Sequence, residues 1–255
     1  MSVDLDVQNV TVRFGGIVAV NEASVYATGG RITGLIGPNG AGKTTFFNAC
    51  TGRNRPESGT VHLGDDKLDG HGNAYRAHRG LGRTFQRMEL FESLSVEENV
   101  KAGPSAYFSS FRVLGPLYAR PKETKEVERR ATDALERCGI SHMARKTVVD
   151  LSTGQRRLVE LARAIATPFK FLLLDEPSSG LDASETHAFG KVLTDHVAES
   201  GVGILLVEHD MALVMEVCDY IHVIDFGEPI FDGAPERVAA SPEVRAAYLG
   251  SESVA

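Results

Sequence analysis

The chain is poor in cysteine, has no excess of basic charge and contains no long apolar run. Its three cysteines, Cys50, Cys138 and Cys218, are too few and too scattered for a disulfide framework or a thiolate zinc site. They fit idle or buried thiols in a reducing compartment. Lys and Arg number 27 against 34 Asp and Glu, for a net charge of -7. That balance excludes a broad basic surface for nucleic acid, though not a local patch. No stretch approaches the roughly 20 apolar residues of a spanning helix, so in any membrane role another chain does the crossing. The opening MSVDLDVQNV carries acids and no apolar run, and does not read as a signal peptide. Repeats and low-complexity segments are missing too. What is present suffices for a sizeable core: 42% of the 255 residues are hydrophobic and 24% charged, which argues against global disorder. The length fits one large domain, or one domain carrying an inserted subdomain.

Residues 3–28 read as short strands. Val3, Leu5 and Val7 alternate with polar residues, a turn falls at Phe14-Gly15-Gly16, and a second alternation runs through Ile17, Ala19 and Tyr26. RITGLI predicts a strand that enters GPNGAGKTTFFNACTG, where Phe46, Phe47 and Ala49 ride on a helix ended by Gly52. Residues 57–70 predict a hairpin with a Gly-Asp-Asp turn. From residue 87 the pattern changes. Pro104, Pro116 and Pro121 make Gly103–Arg120 a loop or a set of short helices. The next segment, 122–138, sets Val127, Ala131, Ala134, Leu135 and Cys138 on one helical face. LSTGQRRLVELARAIA repeats Leu158, Leu161, Ala162 and Ile165 at helical spacing. FLLLD is a continuous apolar strand of the kind buried in a parallel sheet. A helix at 183–199 bears Phe189, Val192, Leu193 and Val197, and GILLVEHD, MALVMEVC and YIHVID read as strand, helix, strand. The expected fold is a three-layer α/β core with a β-rich front and a helical insert.

Gly37-Pro38-Asn39-Gly40-Ala41-Gly42-Lys43-Thr44 fits G-x-x-x-x-G-K-T between a strand and a helix. Such a loop wraps an anion: consecutive N–H groups point inward and the helix start adds partial positive charge. Asn39, Gly40, Ala41, Gly42, Lys43, Thr44 and Thr45 are therefore the candidate phosphate-binding residues. Lys43 reaches the β- and γ-phosphates and the Thr44 hydroxyl ligates Mg²⁺. FLLLDEP sets Asp175 and Glu176 at the C-terminal end of a strand, where open α/β sheets bind ligands. Asp175 suits Mg²⁺, through water, and Glu176 suits the base that polarises an attacking water. Adjacent strand residues face opposite ways, so the two roles need not compete.

With these segments in order, the chain resembles the ATPase subunit of an ABC transporter over essentially its whole length. Gly37–Thr44 matches the phosphate loop, Gln86 in RTFQ the glutamine loop, and Leu151-Ser152-Thr153-Gly154-Gln155 the LSGGQ signature. Leu172–Pro177 matches the Walker B strand with its catalytic glutamate, SGLD ending in Asp182 the loop at the dimer interface, and His209 the switch histidine. The resemblance implies a P-loop (RecA-like) core at 1–86 and 157–255, with an antiparallel β subdomain in the first part and an α-helical subdomain at 87–156. It implies ATP and Mg²⁺ as cofactors. Glu176, His209, Lys43 and Gln86 become the catalytic set, and Thr44, Gln86 and Asp175 the metal set. Phe14 stands where the family stacks an aromatic on adenine, and Val20 is placed against the ribose or base. Ser152, Gly154, Gln155 and Asp182 would meet ATP bound to a second subunit, in a two-fold pair holding two nucleotides. Thr153 departs from the family by replacing the first glycine of its usual pair; activity is expected to survive. Seven further histidines, among them His62, His71, His78 and His142, form no metal-ligand spacing and read as surface or loop residues.

Within the family the chain resembles the branched-chain amino acid importer subgroup. VTVRFGGIVAVN, IGPNGAGKTTFFNACTG, RTFQRMELFESLSVEENV and the C-terminal stretch to Tyr248-Leu249-Gly250 carry that resemblance. It implies a peripheral ATPase at the cytoplasmic face of the inner membrane. Its partners would be a like or similar ATPase, integral permease subunits and, indirectly, an external solute-binding protein, with no nucleic acid. The alternatives within the family are a urea or amide importer and a lipopolysaccharide-type exporter. Outside it stand a soluble ABC-type ATPase acting on ribosomes or nucleic acid, a small-molecule kinase, and a scaffold without turnover. Met88, Leu90, Phe91 and Leu94 follow Gln86 as apolar residues in a polar stretch. They serve either to pack the helical insert or to wall a groove for a permease helix.

Overall fold

The computed structural model describes residues 2–84, 89–110 and 121–252. Gln86 and Met88 lie outside the described residues. In chain order, β1 (Leu5–Phe14) and β2 (Ile17–Ala27) form a long hairpin, and β3 (Ile32–Ile36) enters the glycine-rich loop and α1 (Lys43–Thr51). β4 (Ser58–Leu63), β5 (Asp66–Lys67), α2 (Asn73–Arg79) and β6 (Leu81–Arg83) follow. A helical stretch holds α3 (Val96–Ser110), α4 (Pro121–Arg137) and α5 (Thr153–Ala166). Then come β7 (Phe171–Asp175), α6 (Ala183–Ser200), β8 (Gly203–Val207), α7 (Met211–Val217), β9 (Tyr220–Asp225) and β10 (Glu228–Gly233). α8 (Pro235–Ala240) and α9 (Pro242–Glu252) close the described chain.

Two sheets organise these elements. The first is antiparallel, in the order β2-β1-β4-β5. The second runs β10-β9-β3-β8-β7-β6, parallel except for β10. Its inner strands are buried on both faces, and their residues alternate between two cores. Ile32, Ile36, Leu172, Leu174, Ile204 and Leu206 pack with the helices. Leu35, Phe171, Leu173, Leu205 and Val207 pack with α1 and the antiparallel sheet. This alternation is why FLLLD and GILLV are apolar throughout. Fully burying each such side chain is worth about 1.5–3 kcal/mol. Val207 sits level with Leu35 on one side and Asp175 on the other. The chain therefore leaves β3, β8 and β7 at one edge of the sheet, side by side.

The architecture is the expected α/β one, with local differences. β1 and β2 span 10 and 11 residues rather than reading as short strands. In β2 the inward residues are Val20, Ala23, Val25 and Ala27, whereas Ile17 and Tyr26 are exposed. Register shifts in the β1–β2 ladder and a positive φ of 48° at Glu22 reset the alternation partway along the strand. α3 continues through Pro104 to Ser110, where a loop or short helices were expected. Buried Val96, Val100 and Pro104 anchor it, which offsets the roughly 3 kcal/mol that an interior proline costs a helix. α4 buries Val127, Ala131, Ala134 and Leu135, and Cys138 just beyond it is buried as well. His196 is not a surface or loop residue but a buried one on α6. Burial first, and Arg137 second, depress its pKa to about 4. All three cysteines are buried and free, and burial pushes each thiol up to about 12.

Candidate active site

The glycine-rich loop leaves β3 and turns into α1 with no side chain capping the helix start. The first N–H groups of a helix have no intrahelical acceptor, so this end favours an anion. Gly42 is fixed by geometry: its φ is 97°, and a Cβ there would come within 2.4 Å of the Ala19 carbonyl oxygen. Lys43 is 6% exposed. Its Nζ donates to the carbonyls of Gly37 at 2.7 Å and Pro38 at 2.9 Å, across the loop. Two of its three protons are thereby used, and the third is left for a further acceptor. Burial lowers the Lys43 pKa, while Glu176 and Asp175 act to raise it.

Asp175 ends β7 at 1% exposure. Its Oδ2 accepts from Arg83 Nη2 at 2.8 Å, while Oδ1 is buried without a hydrogen-bond partner among the described residues. Burial raises its pKa, opposed chiefly by Arg83. Glu176, the next residue, has a φ of 48°. A non-glycine residue held in this region is strained, and its N–H is pinned to the Val207 carbonyl at 2.8 Å. Glu176 Oε1 and His209 Nε2 meet at 2.8 Å. Buried Glu208 joins the two loops: Oε1 accepts from Ser178 N at 2.8 Å and Oε2 from His209 N at 3.1 Å.

A cleft of about 480 Å³ opens in front of this edge, lined by the loop from Asn39 to Thr45, by Glu176 and His209, and by Ile17, Val18, Ala19 and Phe226. Asn39, Gly40, Ala41, Gly42, Lys43, Thr44, Thr45, Glu176 and His209 are thus brought together from three distant segments. Val20 does not reach the cleft. It is fully buried in the core beside the antiparallel sheet, because the cleft side of β2 belongs to Val18 and its neighbours. Phe14 is half exposed at the hairpin end, paired with Ile17, and is not among the cleft residues. Arg83, Glu208 and Phe226 were not anticipated. The first two left a faint signal, each a charged residue at or just past the end of a strand. Phe226 left none: its turn is carried to the loop by Gly227, whose N–H donates to the Ala41 carbonyl and whose carbonyl accepts from Asn21 N.

The signature segment lies apart from this cleft. Ser152 caps α5 reciprocally with Gln155: Oγ accepts from Gln155 N at 3.2 Å, and Ser152 N donates to Gln155 Oε1 at 3.1 Å. Asp182 and Glu185 cap α6 in the same way. The two helix starts touch, since a Cβ on Gly154 would lie 2.3 Å from Glu185 Oε1. Arg157 Nε adds a bond to the Ser179 carbonyl at 3.2 Å. Ser152, Gly154, Gln155 and Asp182 therefore form one packed unit, none of it lining the phosphate cleft.

Comparison with known proteins bears on what this arrangement is. Residues 20–179 match the model of the ABC transporter family, and residues 228–254 match that of the branched-chain amino acid ATP-binding cassette transporter. The chain belongs to the ABC transporter family. The high-affinity branched-chain amino acid transport ATP-binding protein BraF of Pseudomonas aeruginosa is 36% identical, over 96% of this chain and 97% of its own. LivG of Escherichia coli, of the same description, is 38% identical over the same shares. A crystal structure of the ADP conformation of an ATP-binding cassette of an ABC transporter superposes with a TM-score of 0.84 at 28% identity, covering 98% of this chain and all of that one.

As an ABC transporter subunit the chain is an ATPase that uses ATP and Mg²⁺. Its residues fit the ion. The orphaned Oδ1 of Asp175 is a buried hard donor beside Glu176 at the end of β7, although Asp175 is not among the cleft residues, and Thr44 lines the cleft. When bound, the ion neutralises charge building on the β- and γ-phosphate oxygens. No helix among the described residues is long and apolar enough to cross a membrane.

Proposed function

We propose that the chain powers import of branched-chain or related amino acids through a separate integral permease. The match over residues 228–254 carries the solute class, supported by what the relatives' names say of those proteins. In this reading Glu176 polarises the attacking water, and His209 holds Glu176 through their 2.8 Å contact. Lys43 and the loop amides hold the β- and γ-phosphates. Thr44 and Asp175 hold Mg²⁺, joined by Gln86. The exposed ring of Phe14 stacks on adenine, next to Ile17 at the cleft. Two such subunits, alike or merely similar, sandwich two ATP. What supports the sandwich is the separation of the anion-capable start of α5 from the phosphate cleft of its own chain, which leaves each half of the site to be completed by a second chain.

A groove of about 510 Å³ runs between α2, β6, α3 and α5, walled by Ala77, Phe91, Ala106, Tyr107, Phe169 and others. Phe91 is 54% exposed, so it walls the groove rather than filling the core, whereas Leu90 packs against the helical core. The groove receives a short cytoplasmic helix of the permease, which sets the subunit on the cytoplasmic face of the inner membrane. An external solute-binding protein delivers the solute to the far side. The test is reconstitution with the permease and binding protein. Leucine, isoleucine or valine should stimulate phosphate release in vesicles; stimulation only by urea, amides or lipopolysaccharide would replace the solute assignment.

A further inference from the structure

Arg83 ends β6, and its side chain is 7% exposed. Besides the 2.8 Å bond to Asp175 Oδ2, its Nη1 donates to Asn48 Oδ1 at 2.6 Å and Thr51 Oγ1 at 3.3 Å. Asn48 and Thr51 lie on α1, the helix that the phosphate loop opens. The guanidinium also stands 5.7 Å from the centre of the Phe47 ring. One planar fork thus ties the end of β6 to the phosphate helix and to the aspartate of β7. Of that aspartate's two oxygens, one is committed to Arg83 and the other has no partner among the described residues.

We infer that Arg83 is a positioning residue for the metal carboxylate. It fixes the rotation of the Asp175 side chain, so that Oδ2 is held from behind and Oδ1 alone is offered to Mg²⁺. Asn48 and Thr51 brace the guanidinium against α1, which keeps Asp175 in register with Thr44 on the same helix. A lysine retains the charge but is a point donor on a flexible stem, and cannot reproduce a fork between two elements. Groups that orient a metal ligand without touching the metal change affinity by about 10–100-fold when removed. The inference rests on the reading of Asp175 as a magnesium ligand.

The test compares binding of a non-hydrolysable ATP analogue in Mg²⁺ with binding in EDTA, for the parent, Arg83→Lys and Arg83→Gln. The ratio of the two affinities isolates the metal from the phosphate loop, and a Mn²⁺ titration followed by electron paramagnetic resonance reads the ion itself. Binding in EDTA should stay within about twofold of the parent, while the Mg²⁺ advantage and the Mn²⁺ affinity fall by about 10–100-fold, less in Arg83→Lys than in Arg83→Gln. Should neither variant fold, Asn48→Ala carries the same comparison, because it keeps the ion pair and removes its brace; a fall of about threefold or more is then expected. An unchanged ratio in a folded variant overturns the inference. So does an equal loss in EDTA, which would make Arg83 a support for the phosphate helix at large. A parent that binds no analogue in either condition overturns the nucleotide-site reading itself.

Discussion

Replacing Glu176 with glutamine keeps the shape of the side chain and removes its charge and basicity. The backbone N–H still meets the Val207 carbonyl, and the amide oxygen can still face His209. Stability should therefore change by less than about 0.5 kcal/mol. Turnover should not survive, because loss of a positioned base costs about 10²–10⁴-fold, or about 3–5 kcal/mol of barrier. Repulsion between the carboxylate and the γ-phosphate is lost as well, so ATP should be held in a closed dimer. Phosphate release and size-exclusion chromatography with and without Mg-ATP measure both effects. A further pair of substitutions separates chemistry from backbone. At a φ of 48°, Glu176→Gly and Glu176→Ala both lose the His209 contact and turnover, but only glycine sheds strain of about 1 kcal/mol, so Glu176→Gly should melt about 2–4 °C above Glu176→Ala. Turnover of Glu176→Gln within tenfold of the parent would refute the base assignment, and a melting temperature for Glu176→Gly no higher than that of Glu176→Ala would refute the strain.

Lys43→Ala removes a charge-assisted contact worth about 1.5–3 kcal/mol, so ATP affinity should fall about tenfold to over a hundredfold by titration calorimetry. Gly42→Ala forces a Cβ to within 2.4 Å of the Ala19 carbonyl at a φ of 97°, and should lower melting temperature and ATP binding together, at a cost of at least about 2 kcal/mol. Phe91→Ala should leave the fold and ATP binding of the isolated subunit within about 0.5 kcal/mol, yet weaken co-purification with the permease by about 2 kcal/mol, as aromatic anchors do; a collapse in thermal stability would instead mark Phe91 as core.

The phosphate loop, Asp175 and Glu176 were legible because each is a short local pattern at the end of an apolar strand, and strand ends gather at one edge of a parallel sheet; His209 stood out only through the family resemblance. The register that sets Leu35, Val207 and Asp175 level does the rest. What stayed hidden depends on contacts between distant segments. Phe226 reaches the cleft only because Gly227 docks on Ala41, about 185 residues away in the chain. Arg83 gains its meaning from Asn48 and Asp175, on two other elements. The inward face of β2 is hidden in the sequence because register shifts break the period of two. Pro104 reads as a breaker in the sequence because local propensity cannot weigh the burial that outvotes it. α8 and α9 are short, at 6 and 11 residues, and too weakly patterned to stand out.

ATP spent by this subunit is proposed to move an amino acid through another protein, a coupling open to direct assay. Its most direct measurement is phosphate release by the complex reconstituted in vesicles with its permease, with and without binding protein loaded with leucine, isoleucine or valine. Release should rise with the loaded binding protein, labelled amino acid should accumulate in step, and Glu176→Gln should abolish both. A rate indifferent to every amino acid, or uptake that persists in Glu176→Gln, would contradict the coupling.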